Sequence, residues 1–282
     1  MKLKWLAAPL CISILMLSAC SEKAEPVSSE KGTDSTKDSQ KSLTLEQVYK
    51  KTTEAAGTIK SLSIDMNMDQ VTDDGTGKSV SVKSEMKMDV IQEPISFYQK
   101  ARITPKGEQP EETESYFTKD GFFTYDPTSK QWMKLPDSLT AVLKNLPKTQ
   151  GNPADQLRKL QQFVNDFTFQ TDNSQYILTL DASGDKFNDF IKEEAKKNLG
   201  PESQNLPIDD ALDIKNVKYK YYIDKNTFYP KRLIIAMEMN VKTAGEEIHS
   251  KQTSDSTFSN FNKVKAITIP QKIIQTAEDM PQ

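Results

Sequence analysis

The chain has 282 residues, 36% hydrophobic and 27% charged, with 37 basic against 40 acidic side chains and a net charge of −3. That mildly acidic balance excludes the basic surface that a nucleic-acid partner needs. One histidine, His249, excludes a multi-histidine metal site, and two cysteines are too few for a disulfide framework. At the start of the chain, Lys2 and Lys4 precede an apolar run from Trp5 to Leu17, and the small residues Ser18 and Ala19 follow. A charged start, an apolar middle and a small-residue junction describe a secretory signal peptide over residues 1–19. A membrane span needs roughly 18 unbroken apolar residues, whereas this run is shorter and holds Pro9 and Ser13.

Leu17-Ser18-Ala19-Cys20 resembles the lipobox of bacterial lipoproteins. The resemblance implies cleavage between Ala19 and Cys20 and thioether attachment of diacylglycerol, with fatty acyl groups such as palmitate, to Cys20. The chain would then be anchored to the cell membrane and face its extracytoplasmic side. Cys11 leaves with the signal, so the only remaining cysteine is lipidated, and neither a disulfide nor a free thiolate is expected. The mature chain would carry 35 basic and 40 acidic side chains, a charge of −5. Arginine is confined to Arg102, Arg158 and Arg232, a lysine-heavy usage in keeping with a Gram-positive source. Residues 21–42 hold almost no apolar side chains and read as a disordered tether. A flexible chain of that length spans about 25 Å. Residues 43–282 then form one domain.

The first ordered element is a predicted helix over 45–57, with Thr44 and Gln47 at capping-box spacing and Gly57 as its stop. Period-two patterns follow. Leu62, Ile64, Met66 and Met68 alternate with polar residues, as do Val80, Val82, Met86, Met88 and Val90, which predicts antiparallel strands with one wet face. Asp73 to Gly77 fits the hairpin loop between them. Shorter strands are predicted at 95–103, 113–118, 121–126 and 131–135. Ser138 marks a helix ending near Pro147, and Asn152-Pro153 starts another that carries Leu157, Leu160 and Val164.

A strand pair near 166–181 leads into a helix marked by Phe187, Phe190, Ile191 and Leu199 and closed by Gly200-Pro201. Val217, Tyr219, Tyr221 and Ile223 alternate with lysines before a turn at Asp224 to Thr227. Leu233, Ile235, Met237, Met239 and Val241 form another apolar face, and Ala244-Gly245 turns into a more polar strand through Phe258. Asn260–Ile269 reads as a last strand-like stretch. The whole predicts an α+β fold, a curved antiparallel sheet with helices on its concave face.

With that order of elements, the segments DGFFTYDPTSKQWMKLP (120–136) and IDKNTFYPKRLIIAMEM (223–239) resemble the LolA/LppX-like superfamily, nearest its Gram-positive extracytoplasmic lipoproteins. The resemblance implies a half-open β-barrel whose helices plug or lid an apolar cavity, used for lipids or acylated molecules. This chain departs from the soluble carrier in being lipidated itself, which favours a fixed, tethered role over a shuttle.

Three Met-x-Met pairs, Met66/Met68, Met86/Met88 and Met237/Met239, lie on apolar strand faces. Methionine adapts to irregular apolar shapes, so these residues with Val82 and Ile235 are the expected ligand cavity; the same pattern also describes ordinary core beneath helices. Gly75 to Ser79 imitates a phosphate loop, but the preceding glycine is missing and a hairpin is expected. The acidic pairs Glu111/Glu112, Glu193/Glu194, Asp209/Asp210 and Glu246/Glu247 form no glycosidase motif. His249 lacks the nucleophile turn of a hydrolase and reads as an exposed strand histidine. Trp132, Tyr116, Phe122, Phe123 and Tyr125 have the chemistry to stack on sugars but equally to fill core. The expected function is therefore non-catalytic binding of a lipid or acylated amphiphile, with no cofactor; the other reading is a protein-interaction module that senses or regulates the cell envelope, its partner unspecified.

Overall fold

A computed structural model describes residues 43–73, 75–76, 78–137, 140, 152–199, 211–243 and 246–280. The signal peptide, Cys20, the tether, the helix expected from Ser138, the Gly200-Pro201 stop and the Ala244-Gly245 turn lie outside the described residues.

Helix α1 (Leu45–Ala56) opens with the expected capping box. The Thr44 hydroxyl accepts from the Gln47 N–H at 3.3 Å, and the Gln47 side chain accepts from the Thr44 N–H at 3.0 Å, so two otherwise orphaned donors are satisfied. Gly57 does end the helix, but at φ −65° its backbone is right-handed. The stop needs no left-handed residue, because the Gly57 N–H bonds back to the Glu54 carbonyl at 3.3 Å. Val48, Tyr49, Thr52 and Ala56 share the buried side. Helix α2 (Pro153–Lys159) starts on Asn152, whose Oδ1 accepts the Ala154 N–H while its Nδ2 donates to the Ala56 carbonyl, tying α2 to the end of α1. A 3-10 turn (Leu160–Asp166) follows, and α3 spans Asp185–Leu199.

The strands are β1 (Ser61–Asp73), β2 (Ser79–Gln92), β3 (Ile95–Pro105), β4 (Glu111–Thr118), β5 (Gly121–Asp126), β6 (Gln131–Lys134), β7 (Phe167–Thr171), β8 (Gln175–Ala182), β9 (Leu212–Asp224), β10 (Pro230–Thr243), β11 (Glu246–Ser259) and β12 (Glu278–Asp279). They form one curved, unclosed sheet in the order β12-β6-β5-β4-β3-β2-β1-β11-β10-β9-β8-β7. All neighbours are antiparallel except β12, which runs parallel to β6. Tight turns carry the reversals: at the β9–β10 corner Asp224 Oδ1 accepts the N–H groups of Asn226 (3.0 Å) and Thr227 (2.9 Å).

Alternation gives the sheet two faces. Leu62, Val90, Phe97 and Phe117 share the inner face, where the main core forms between the sheet and the residues of α1, α2 and α3 such as Val48, Leu157 and Phe187. Their strand neighbours Ser63, Asp89, Tyr98, Tyr116 and Phe123 lie in register on the outer face.

The expected last strand over Asn260–Ile269 does not form. β11 already pairs with β1 on one side and β10 on the other, so no open edge is left for the chain to join. Asn260 and Asn262, at φ 50° and 59°, instead turn the chain through the left-handed region that asparagine tolerates. The chain then crosses the outer face and forms α4 (Gln271–Thr276). There Ile269 and Ile273 pack with Phe123 in a second core, flanked by Tyr116, Trp132 and Ala277.

Candidate functional site

The register brings the eight sequence-predicted cavity residues onto the inner face. Met66 faces Met86 across the β1–β2 ladder, and Met86 faces Ala101 on β3. Met88 lies between Ile64 and Gln99, Met68 between Ser84 and Ser254, and Val82 between Gln70 and Pro105. On the other half of the sheet Ile235 faces Tyr219, Met237 faces Val217 and Met239 faces Ile214.

Burial divides them. Met237 (7% exposed) and Met239 (2%) belong to the closed core beneath the helices, whereas Met66, Met86, Met88 and Ile235 pack against that core and remain partly exposed. Met68 and Val82 are buried outside the main cluster. With Ala101 and Ile103, which are also partly exposed, Met66, Met86 and Met88 make a half-covered apolar wall over β1 to β3.

A polar seam, which sequence reasoning passed over as a merely polar strand, runs along β11 beside this wall. Ser250, Gln252, Ser254 and Ser256 on β11 occupy the inner-face positions between β1 and β10. Gln70 Nε2 donates to Ser250 Oγ at 3.3 Å and Gln252 Nε2 contacts Met68 Sδ at 2.9 Å. Their period-two spacing was the available signal: polar residues at every second position of a strand central in the sheet must face a core somewhere. On the closed side, burial pushes the phenol groups of Tyr49, Tyr219 and Tyr221 well above their ordinary range, so they stay neutral.

The remaining sequence candidates scatter. Glu111 and Glu112 alternate along a strand, Glu112 pairing with Arg102 at 3.6 Å, and Glu194 pairs with Lys159 at 3.4 Å between α3 and α2. Asp209 and Asp210 lie outside the described residues. Gly75 sits in the β1–β2 hairpin, its N–H donated to Asp73 Oδ1 at 2.8 Å. His249 is a partly exposed residue of β11, its Nδ1 2.7 Å from Asn240 Oδ1 and its Nε2 3.2 Å from Glu238. Among the described residues no group of three or more His, Cys, Asp or Glu side chains is placed to hold a metal, and no helix is long and apolar enough to cross a membrane.

A family model described as a family of unknown function, DUF6612, matches residues 44–278. No curated protein matches the chain. Several solved structures are similar to it, three of which follow. A DUF1329 family protein from Desulfovibrio piger is 10% identical, with 79% of this chain and 95% of that one covered and a TM-score of 0.26. A LolA superfamily protein from Nitrosomonas europaea is 9% identical, with coverage of 82% and 97% and a TM-score of 0.21. An outer membrane lipoprotein-sorting protein domain from Vibrio parahaemolyticus is 12% identical, with coverage of 76% and 93% and a TM-score of 0.27. The second of these carries the superfamily name given above to the resemblance of residues 120–136 and 223–239.

Proposed function

Starting from a chain that belongs to DUF6612, a family of unknown function, we propose a membrane-anchored extracytoplasmic lipoprotein that binds a lipid or acylated amphiphile, without catalysis, on the inner face of its sheet. The half-covered wall of Met66, Met86 and Met88 is the observation that carries this reading. Unbranched, polarizable side chains can repack around acyl chains of different length and kink. Each methylene removed from water contributes about 0.8 kcal/mol. Ten of them supply on the order of 8 kcal/mol against the cost of ordering the chain, enough for useful affinity without a polar anchor. The anchor at Cys20 would hold the domain at the bilayer from which such a ligand comes, on a tether long enough to let it reorient.

Native mass spectrometry with lipid extraction on the full chain, purified from membranes, tests this. The expected spectrum shows non-covalent acyl species on a chain that begins at Cys20 and carries a covalent diacylglycerol. Met86→Glu, placed in the wall and away from the closed core, should cut the non-covalent species at least tenfold while the melting curve stays cooperative. A chain free of lipid even after incubation with phosphatidylglycerol vesicles would sink the proposal and leave the protein-interaction reading.

A further inference from the structure

The outer face carries a concavity that the lipid reading does not use. Its volume is about 400 Å³, within the roughly 300–1,000 Å³ of small-molecule sites. Ser63, Asp89, Tyr98 and Tyr116 form its floor, one from each of β1 to β4, and the strap Lys263–Thr268 with Asn260 forms its wall.

From these groups we infer that the outer-face cleft is a saccharide-binding site. Sugars present two chemistries at once, an apolar C–H face and a rim of hydroxyls that both donate and accept. The cleft offers a match for each. Tyr98 and Tyr116 lie with ring centroids 4.6 Å apart and planes tilted by 33°, and Trp132 continues the row 5.8 Å from Tyr116, with Tyr125 5.8 Å beyond it. All four rings remain partly exposed; Tyr98 and Tyr116 line the cleft, whereas Trp132, which packs with Tyr116 against the second core, lies beyond it with Tyr125. The exposed parts of Tyr98 and Tyr116 give the cleft an apolar surface for C–H groups.

The polar groups around it are held in place. The Tyr98 hydroxyl donates to Glu114 Oε2 at 3.1 Å, and Lys100 holds the same carboxylate at 2.7 Å, so the ring is locked from behind. Asn260 Nδ2 donates to Ser63 Oγ at 3.1 Å, and Ser63 in turn donates to Asp89 Oδ1. Among the described residues Asp89 Oδ2 accepts no hydrogen bond, which leaves it for a sugar hydroxyl. Lys263 and Lys265 are exposed on the wall and supply donors. Among the described residues none of the backbone N–H groups of residues 265–268 finds an acceptor. A purely apolar ligand would leave these polar groups unpaired at a cost, whereas a hydroxylated one satisfies them.

Trp132 is a built-in reporter, since the chain has one other tryptophan, Trp5. In a Trp5→Phe background of the full chain, two probes are titrated while Trp132 fluorescence is followed: the β-1,4-linked trimer of N-acetylglucosamine, and trigalacturonic acid, whose carboxylates would engage Lys263 and Lys265. Saturable binding of either at millimolar concentration or below is expected. Tyr98→Ala should weaken it about tenfold, Asp89→Asn several-fold, and Tyr98→Phe, which keeps the ring, by about twofold at most. Met86→Glu should leave it unchanged, so the outcome here is independent of lipid binding on the inner face. If Tyr98→Ala fails to fold, Asp89→Asn and the exposed Lys263→Ala decide. No saturable response to either trimer, binding that Asp89→Asn and Lys263→Ala leave intact, or a response to choline in place of the sugars would overturn the assignment.

Discussion

Arg232 on β10 reaches Asp255 on β11 through two parallel hydrogen bonds, Nε to Oδ1 at 2.7 Å and Nη2 to Oδ2 at 2.5 Å. These bonds hold the Asp255 carboxyl below its ordinary range, against the opposing effect of partial burial. A folded-state pKa below the unfolded value means stability that is present in full above the unfolded value, near 4, and lost as pH falls through the folded one. The pair is more than a third exposed on the Arg232 side, so solvent screening keeps its contribution to about 1 kcal/mol. Melting should therefore separate the natural chain from Asp255→Asn most clearly at pH 6 to 7, and the two curves should converge as the pH drops below about 4. A gap that widens in acid would refute the ion-pair account. Asp172 and Asp126 act in the same direction, the first held low by the N–H groups of Ser174 and Gln175, the second by the Ser129 hydroxyl and the Thr128 N–H. Residues of this kind are the most legible in the sequence. An aspartate two or three positions before a small polar residue at a strand end bonds its own local backbone, and local chemistry does not depend on how the sheet folds.

Elements were legible where a period carried them. The capping box at Thr44, the Asn152-Pro153 start and the alternation in β1, β2 and β10 all place their boundaries within a few residues of those observed. The period does not say what covers an apolar face. Met86 and Met237 occupy equivalent inner-face positions on strands of the same pattern, yet one is part of a half-covered wall and the other is buried in the core. The difference lies in which helix packs on which strand, information held by residues far away in the chain. It predicts unequal costs on truncation. Met237→Ala should lose about 2–5 kcal/mol in urea denaturation, the range for emptying a closed core site. Met86→Ala should lose about 1 kcal/mol, because its side chain keeps water on one side and leaves no sealed cavity. Equal losses would mean that the wall is ordinary core and would weaken the case for a ligand there.

At the scale of the whole molecule, the sheet is braced from both sides by segments from opposite ends of the chain. Helix α1 closes the inner face, and the strap after Asn260 crosses the outer face to the far edge. There the Met280 N–H donates to the Lys134 carbonyl at 2.9 Å and β12 pairs with β6, a strand of only four residues. In the sequence residues 260–269 read as strand-like, and nothing in their pattern announces the crossing. Only the occupied edges of β11 force them off the sheet. Ile269 and Ile273 are 7% and 8% exposed, and burying two such side chains contributes on the order of 3 kcal/mol after allowing for a compact unfolded chain. Ending the chain after Lys263 should then lower the melting temperature by roughly 6–12 °C, the shift that about 3 kcal/mol produces in a domain of this size. It would also uncover Phe123 and the free edge of β6, so dye binding to exposed apolar surface and concentration-dependent association should both rise. Lipid uptake on the inner face should persist, since the strap contributes nothing to that wall, whereas the outer cleft loses its side and its sugar response. If the shortened chain melts like the full one, the strap is a passenger and the outer cleft lacks the rigid wall that its ligand selectivity requires.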